Sequence, residues 1–161
     1  MPFFCPLELS AEYTRDEILA ALGVLRLDRL REVREGVLWI KEIQADLLFI
    51  TLDKTETDYS PTTMYNDYAI SDSLFHWQSQ STTSAGAPAG RRYIEQRELG
   101  STVLLFVRQE KDRHDLASPY SFLGPADYVS HQGSRPMNII WKLRHPMPAK
   151  FLQKAARLLN E

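Results

Sequence analysis

The run TVLLFVR at positions 102–108 decides the fold. Its apolar residues continue without a break from Val103 to Val107, and they include two β-branched side chains and the aromatic Phe106. A short apolar run that is rich in such residues is typical of a strand. We therefore predict that 102–108 is the strongest strand in the chain and that it belongs to a sheet.

Five further segments have the pattern of strands. The runs VLWI at 37–40 and LLFITL at 47–52 are apolar, β-branched or aromatic, which suits buried strands. Residues 74–80 (LFHWQSQ) alternate between two faces, as a strand does. Further candidates are 127–131 and the amphipathic segment 137–143. Together with 102–108 they predict a sheet of about six strands.

Short helices are predicted towards both ends of the chain. Thr14 and Glu17 have the spacing of a capping box, and the apolar residues that follow lie on one face. The irregular pattern at 25–33 is compatible with a second short helix. Near the other end, Pro146 and Pro148 introduce a terminal helix. Its apolar positions include Phe151, Leu152, Ala155, Leu158 and Leu159.

Two long stretches, 53–72 and 81–90, have no regular pattern. The second reads STTSAGAPAG, and its small, polar, Gly- and Pro-containing composition is typical of a surface loop. We therefore predict an α+β fold: a curved sheet or partly closed β-barrel with flanking short helices at both ends. The length of 161 residues is that of one domain, spanning 1–161.

The composition excludes several classes of protein. A single cysteine, Cys5, excludes an internal disulfide framework and a multi-cysteine zinc site. No signal peptide or long apolar run is visible, so a soluble, cytoplasmic protein is expected.

The net charge of −2 argues against a non-specific nucleic-acid coat. Residues 1–85 carry 7 Lys and Arg against 14 Asp and Glu, however, whereas 86–161 carry 12 against 7, so one surface could still be basic.

The usual catalytic signatures are missing. The sequence contains no GxSxG elbow, no phosphate-binding glycine-rich loop and no HExxH motif. Its four histidines are scattered, and a lone histidine is more often structural than a ligand or a base. We therefore predict a binding module without a cofactor or a metal, rather than an enzyme.

Aromatic and hydrogen-bonding residues are densest between Asp58 and Thr83. A pocket that holds an extruded nucleobase needs flat side chains for its faces and polar groups for its edge, and this segment supplies both. In a strand, His76 and Trp77 point to opposite sides, so at most one of them can line a given pocket. Aromatic residues are equally common in half-buried strands, and that alternative stays open. The base-binding candidates are Tyr59, Tyr65, Tyr68, Phe75, His76 and Trp77 for stacking, with Asp67, Gln78 and Ser79 for hydrogen bonds.

Contacts to the DNA backbone are predicted next to this segment. The candidates are Gln80, Ser81, Thr82, Thr83, Arg91 and Arg92, which could contact phosphates or fill the gap left by a flipped base. Further basic residues follow as far as Arg113, but acidic residues are interspersed among them, as on an ordinary solvated hairpin.

The segment 122–131 is predicted to have a structural role rather than a binding role. Gly124-Pro125 is expected to form a turn that enters a strand, and Trp141 is expected in the core.

Four strings resemble a known family. They are DYSPTTMYNDYAIS at 58–71, LFHWQSQSTT at 74–83, LLFVR at 104–108 and YSFLGPADYVSHQGSRPMNIIWKLRHPMP at 120–148. They are similar to a bacterial domain family, formerly of unknown function, at the C-terminus of proteins that carry a phospholipase-D-type nuclease and a DEAD/DEAH-type helicase. The resemblance extends from Tyr13 to the terminal helix.

The resemblance implies a function. The better-understood relatives look like modification-dependent (type IV) restriction enzymes of phage defence, in which this domain reads 5-methylcytosine or 5-hydroxymethylcytosine. The resemblance also implies an SRA- or PUA-like fold and base flipping. The partners it implies are duplex DNA and, in cis or in trans, nuclease and helicase domains. No SRA signature is legible here, so no pocket residue is transferred from those proteins.

Two alternatives remain. The chain could be a docking or regulatory domain of a helicase-nuclease protein that binds no DNA, which pairing of the arginines with neighbouring acids would favour. It could also be a metal-dependent hydrolase that uses Asp58, Asp67 and Asp72 with a histidine, although the spacing of these residues is not that of a metal site.

Overall fold

In the computed structural model of the chain, residues 3–24, 36–53 and 67–152 are described. These ranges contain strands, short α-helices and two turns of 3-10 helix, at Lys41–Ile43 and Ala149–Phe151. The strands are β1 (Glu12–Tyr13), β2 (Val37–Ile40), β3 (Ala45–Asp53), β4 (Tyr68–Ala69), β5 (Leu74–Gln78), β6 (Thr102–Glu110), β7 (Asp112–Arg113), β8 (Leu116–Ala117), β9 (Tyr120–Gln132) and β10 (Asn138–Leu143). The helices are α1 (Arg15–Ala21), α2 (Pro88–Ile94) and α3 (Gln96–Leu99).

One large, curved and unclosed sheet organises the molecule. Its strand order is β2-β3-β6-β9-β10-β5-β4, and β1 pairs with β9 beside this path. β3 and β6 pair in parallel, whereas the other pairs in the sheet are antiparallel. β7 and β8 form a separate hairpin. The prediction of a mixed α+β fold with a curved sheet is confirmed, and the predicted strand 102–108 lies in β6 between β3 and β9.

β3 and β6 are buried on both faces because the sheet separates two cores. Leu48 and Ile50 belong to the core that also contains Tyr93 of α2, which we call the α2-side core. Leu47 and Phe49 point the other way, into the α1-side core beneath helix α1 and the N-terminal segment. Continuous apolar runs at these strands therefore reflect two buried faces rather than one.

β9 is longer than predicted. Gly124 and Pro125 were expected to form a turn, but β9 continues through them without a break. Gly124 has φ +86°, which a side chain would oppose, and the pairing with β6 shifts register between Leu105 and Phe106. This shift marks a β-bulge, which bends the strand instead of ending it. A prediction based on local turn residues was wrong here because bulges use the same residues.

The helices differ in how well the sequence predicted them. The capping box of α1 is confirmed, since the Thr14 hydroxyl accepts a hydrogen bond from Glu17 N–H at 3.2 Å and Glu17 Oε1 accepts one from Thr14 N–H at 2.9 Å. The prediction of a loop over 81–90 was wrong at its end, because α2 begins at Pro88. Gly90 permits this, since a Cβ there would lie 2.1 Å from the Ser84 carbonyl oxygen.

Other predictions fall partly or wholly outside the described ranges. The predicted helix at 25–33 lies outside them, as does most of the terminal helix after the turn Ala149–Phe151. Within the stretch 53–72, predicted to lack regular structure, β4 forms a short edge strand. Trp141 is fully buried, as expected.

Candidate functional site

A cleft of about 800 Å³ opens where the ends of several strands meet the start of α1. Its walls come from β3, β6, the start of β9, and the residues at and after the end of β5. Lys111, Ala117 and Ser118 of the β7–β8 hairpin also line it. The strong curvature of the sheet explains how strands that are distant in the strand order contribute to one cavity.

Four of the predicted base-binding residues lie in this cleft: Asp67, Trp77, Gln78 and Ser79. The Asp67 Oδ1 atom accepts a hydrogen bond from the Gln78 backbone N–H at 2.9 Å, which fixes the carboxylate against the end of β5. Ser79 is held by the sheet, because its hydroxyl accepts from Met137 N–H at 2.8 Å. Asp67 and Ser79 are therefore positioned by hydrogen bonds from backbone N–H groups at the end of β5 and just before β10.

Three other predicted residues are described and do not line the cleft. Phe75 is fully buried in the α2-side core. His76 and Tyr68 lie on neighbouring strands, and their rings stack 4.7 Å apart at an angle of 14°. Alternation along β5 places His76 on the side opposite Trp77, as predicted. Tyr59 and Tyr65 lie outside the described residues.

Trp77 lies at the boundary between the cleft and the core. Only 4% of its surface is exposed, yet it lines the cleft. Its ring packs edge-to-face on Tyr93 at 5.4 Å and lies 6.3 Å from Trp141. The tryptophan is therefore part of a rigid wall.

An aromatic and cationic group on another wall of the cleft was not predicted from the sequence. The Arg15 guanidinium lies 4.4 Å from the ring centre of Phe49 and donates a hydrogen bond to the Tyr120 hydroxyl at 3.0 Å. Arg108 lies 4.4 Å from the Tyr120 ring centre, and it also donates to Thr51 Oγ1 at 2.9 Å. Arg108 was predicted only as one of the basic residues that follow Arg92 as far as Arg113. No local signal joins Arg15 to Tyr120, because they are 105 positions apart.

The predicted backbone-contact residues occupy different places. Gln80 lines the cleft, Ser81 and Thr82 are exposed, and Thr83 is buried. Thr83 N–H donates to the Gln80 carbonyl at 3.0 Å, so these four residues form one tight turn at the edge of the cleft.

Arg91 and Arg92 lie on α2 and do not line the cleft. Arg91 is exposed and pairs with Glu95 at 3.4 Å. Arg92 makes two hydrogen bonds of 3.1 Å to the carboxylate of Asp46, which is fully buried, and its guanidinium lies 4.2 Å from the Trp39 ring centre. Burial raises the pKa of Asp46, and the adjacent guanidinium opposes that rise. Arg92 therefore neutralises an internal carboxylate.

The described residues contain neither a group of metal ligands nor a membrane-spanning helix. Within residues 3–24, 36–53 and 67–152, no three His, Cys, Asp or Glu side chains come together so that they could hold a metal ion. No helix in the same ranges has the length and apolar character needed to cross a membrane.

The described residues form an α+β structure with a curved, unclosed sheet and a cleft that combines aromatic and charged side chains. The model of the family described as "Domain of unknown function (DUF3427)" matches residues 7–155, which is most of the chain. The chain therefore belongs to this family. A search of the curated proteins found no match.

Proposed function

We propose that this chain is a DNA-binding module that recognises modified cytosine, either 5-methylcytosine or 5-hydroxymethylcytosine, in duplex DNA. The modified base leaves the duplex and enters the cleft between Trp77 and the Tyr120 wall. One observation carries the proposal: a single cleft brings aromatic rings, a carboxylate, amides and guanidinium groups together. Its volume of about 800 Å³ lies in the range of small-molecule sites.

The polar groups of the cleft suit the edge of a cytosine. The exocyclic amine of cytosine is a hydrogen-bond donor, which carboxylates accept, and Asp67 is the carboxylate fixed at the end of β5. The Gln78 side chain can both donate and accept, and the ring atoms need both. The small part of Trp77 that reaches the cleft offers an apolar contact for the ring and for a 5-methyl group.

The cationic groups suit the phosphates that flank a flipped nucleotide. Arg15, Arg108 and Lys111 all line the cleft. Guanidinium groups that stack on aromatic rings are held in place, so they lose little freedom when they bind a phosphate. The cleft therefore combines base recognition with backbone contacts, as a base-flipping protein requires.

The proposal extends to the wider system through the family resemblance. It gives the domain an SRA- or PUA-like fold and the role of sensor in a modification-dependent (type IV) restriction system. The domain itself is not catalytic. Cleavage and translocation belong to phospholipase-D-type nuclease and helicase domains in cis or in trans, and the proposal places the chain in the cytoplasm with the DNA it inspects.

A docking or regulatory domain is the second candidate, and one observation favours it. Arg91, Arg92 and Arg113 each pair with a carboxylate of this chain, Glu95, Asp46 and Glu12 respectively. Paired arginines contribute less to a basic surface than their number suggests. The two candidates differ in whether the isolated chain binds DNA.

The test is a titration of the purified chain against three duplexes that differ at one cytosine, which is plain, 5-methylated or 5-hydroxymethylated. We expect modified DNA to bind about tenfold more tightly, because a methyl group in a fitted pocket contributes ~1–2 kcal/mol. The preference should persist when the salt concentration is raised, since it does not depend on phosphate contacts. Equal, salt-sensitive binding to all three duplexes would contradict base recognition, and no binding at all would favour the docking domain.

A further inference from the structure

The hairpin of β7 and β8 exposes a bulky apolar side chain next to the cleft. Leu116 is 73% exposed. Packing does not require an apolar residue at this position. The turn before it is tight, because His114 and Asp115 both have positive φ, 52° and 62°. Two consecutive residues of this kind make the compact turn of a two-residue hairpin, which carries Leu116 on a short, defined support.

The base of the hairpin is fixed to the wall of the cleft. Ser118 N–H donates to the Lys111 carbonyl at 2.9 Å and closes the base. The Ser118 carbonyl accepts from Arg108 Nη1 at 3.1 Å, and Arg108 stacks on Tyr120 inside the cleft. Lys111 and Ser118, which close this base, both line the cleft. Leu116 therefore has a fixed position relative to the proposed base pocket.

We propose that Leu116 is a wedge that enters the DNA stack and fills the gap left by the extruded base. The inference rests on the proposed function and adds the element that stabilises the opened duplex. Extrusion leaves the neighbouring base pairs without a stacking partner, and apolar side chains inserted at base steps offset that loss. The sequence analysis assigned gap filling to Gln80–Thr83 or to Arg91 and Arg92, but Ser81 and Thr82 are small and polar, and Arg92 is bound to Asp46.

The charges of the hairpin support one further expectation. Arg113 is paired with Glu12 at 3.5 Å, whereas the carboxylate of Asp115 in the turn would repel phosphates. Substituting Asp115 by Asn should therefore strengthen binding to DNA, whether the cytosine is modified or not.

The experiment compares Leu116→Ala with the unchanged chain on two duplexes. Both duplexes contain one 5-methylcytosine, which is paired with guanine in the first and faces thymine in the second. A mispaired base costs less to extrude, so a wedge matters less there. Leu116→Ala should bind the paired duplex about tenfold more weakly and the mispaired duplex no more than about threefold more weakly.

Two control variants accompany it. Leu99→Ala removes a leucine that is 50% exposed on α3 and does not line the cleft, so it should change binding by less than about twofold on either duplex. Leu116→Met keeps most of the apolar volume and should bind like the unchanged chain. Circular dichroism confirms folding of each variant, which the exposure of Leu116 leads us to expect.

The outcomes separate the wedge from the base pocket. Unchanged binding of Leu116→Ala to both duplexes, while the parent chain still prefers 5-methylcytosine, would overturn the wedge and leave the proposed function standing. An equal loss on both duplexes would make Leu116 an ordinary contact and would also overturn the wedge. If the parent chain has no preference for the methylated duplex, the proposed function fails first, and the wedge fails with it.

Discussion

Two groups of aromatic side chains belong to the two cores of this molecule, and they differ in what surrounds them. The buried group consists of Trp77, Tyr93 and Trp141, which contact one another edge-to-face or tilted in the α2-side core. The cleft group consists of Phe49 and Tyr120, whose ring centres are 5.3 Å apart. Apolar side chains surround the first group except where Trp77 reaches the cleft, whereas guanidinium groups cover the second.

The difference shows why aromatic density alone does not identify a site. An aromatic ring that packs on other rings stabilises the fold through burial. A ring covered by a guanidinium group instead holds a weakly hydrated cation at a surface where ligands can approach. The guanidinium groups of Arg15 and Arg108, at 4.4 Å from their respective rings, mark the cleft group as the cationic wall of the cleft, and Trp77 contributes to another wall.

The largest expected effect is on the free energy of unfolding, and it concerns the buried group. Trp141→Ala should lower the free energy of unfolding by about 3–5 kcal/mol, because it leaves a large cavity in the core. Trp141→Phe should cost much less, since the indole Nε1 has no hydrogen-bond partner in the described structure. Urea denaturation measures both variants against Val129→Ala, a 48% exposed residue expected to change stability by less than about 0.5 kcal/mol. A Trp141→Ala protein as stable as the Val129 control would contradict the assignment of Trp141 to the core.

The second effect is on DNA binding by the cleft group. Arg108→Gln should weaken binding to every duplex about tenfold, because a charged donor to phosphate is lost. The dependence of affinity on salt should also become shallower by about one released counterion. Arg91→Gln is the matched control, because Arg91 lies on α2 away from the cleft. If the two variants lose affinity equally, the cleft has no special role in backbone contacts.

The third effect is smaller and concerns a single hydroxyl group. Tyr120→Phe removes the acceptor of the 3.0 Å hydrogen bond from Arg15 but keeps the ring. Affinity for modified DNA should fall about threefold, and the free energy of unfolding should fall by no more than about 1 kcal/mol. Fluorescence anisotropy and urea denaturation measure these two quantities. A stability loss without a change in affinity would assign this hydrogen bond to folding alone.

The smallest expected effect is on the free energy of unfolding, and it concerns Glu17 in α1, the helix that carries Arg15. The backbone N–H of Thr14 donates to Glu17 and holds the pKa of that carboxyl below its ordinary value of 4.5. A lowered pKa means that ionised Glu17 stabilises the folded chain above pH 4.5, and that this contribution is lost as pH falls through the lowered pKa. Urea denaturation at pH 7 and pH 3 should therefore show a difference between the unchanged chain and Glu17→Gln that shrinks at pH 3. A difference that is the same at both pH values would show that the charge of Glu17 is not involved.

Local sequence patterns predicted most of the strands but not their arrangement. Apolar runs indicated β3 and β6 because burial on both faces leaves a continuous signal. Their parallel pairing depends on contacts between residues as far apart in sequence as Ala45 and Thr102, which no local window contains. The bulge at Gly124 was missed for a related reason, since Gly-Pro is compatible with both a turn and a bulge.

The candidate site was predicted in part. Asp67, Trp77, Gln78 and Ser79 were found because they are close in sequence and share hydrogen-bonding or aromatic character. Phe49 and Tyr120 were missed because the fold brings them to the cleft from other strands. Arg92 was predicted to contact phosphate, but its guanidinium group binds Asp46. The two residues are 46 positions apart in sequence, so no local pattern indicates this pair.

The central claim is that a modified base occupies the cleft beside Trp77, and the three tryptophans of the chain allow a direct measurement. We would label them with 5-fluorotryptophan, assign the three ¹⁹F resonances by Trp→Phe substitution, and add duplexes with plain or 5-methylated cytosine. Trp77 lines the cleft, whereas Trp39 packs against Arg92. We predict that the Trp77 resonance shifts with methylated DNA only and that the Trp39 resonance does not move. Binding that shifts Trp39 and leaves Trp77 unchanged would place the DNA on another surface and contradict the account.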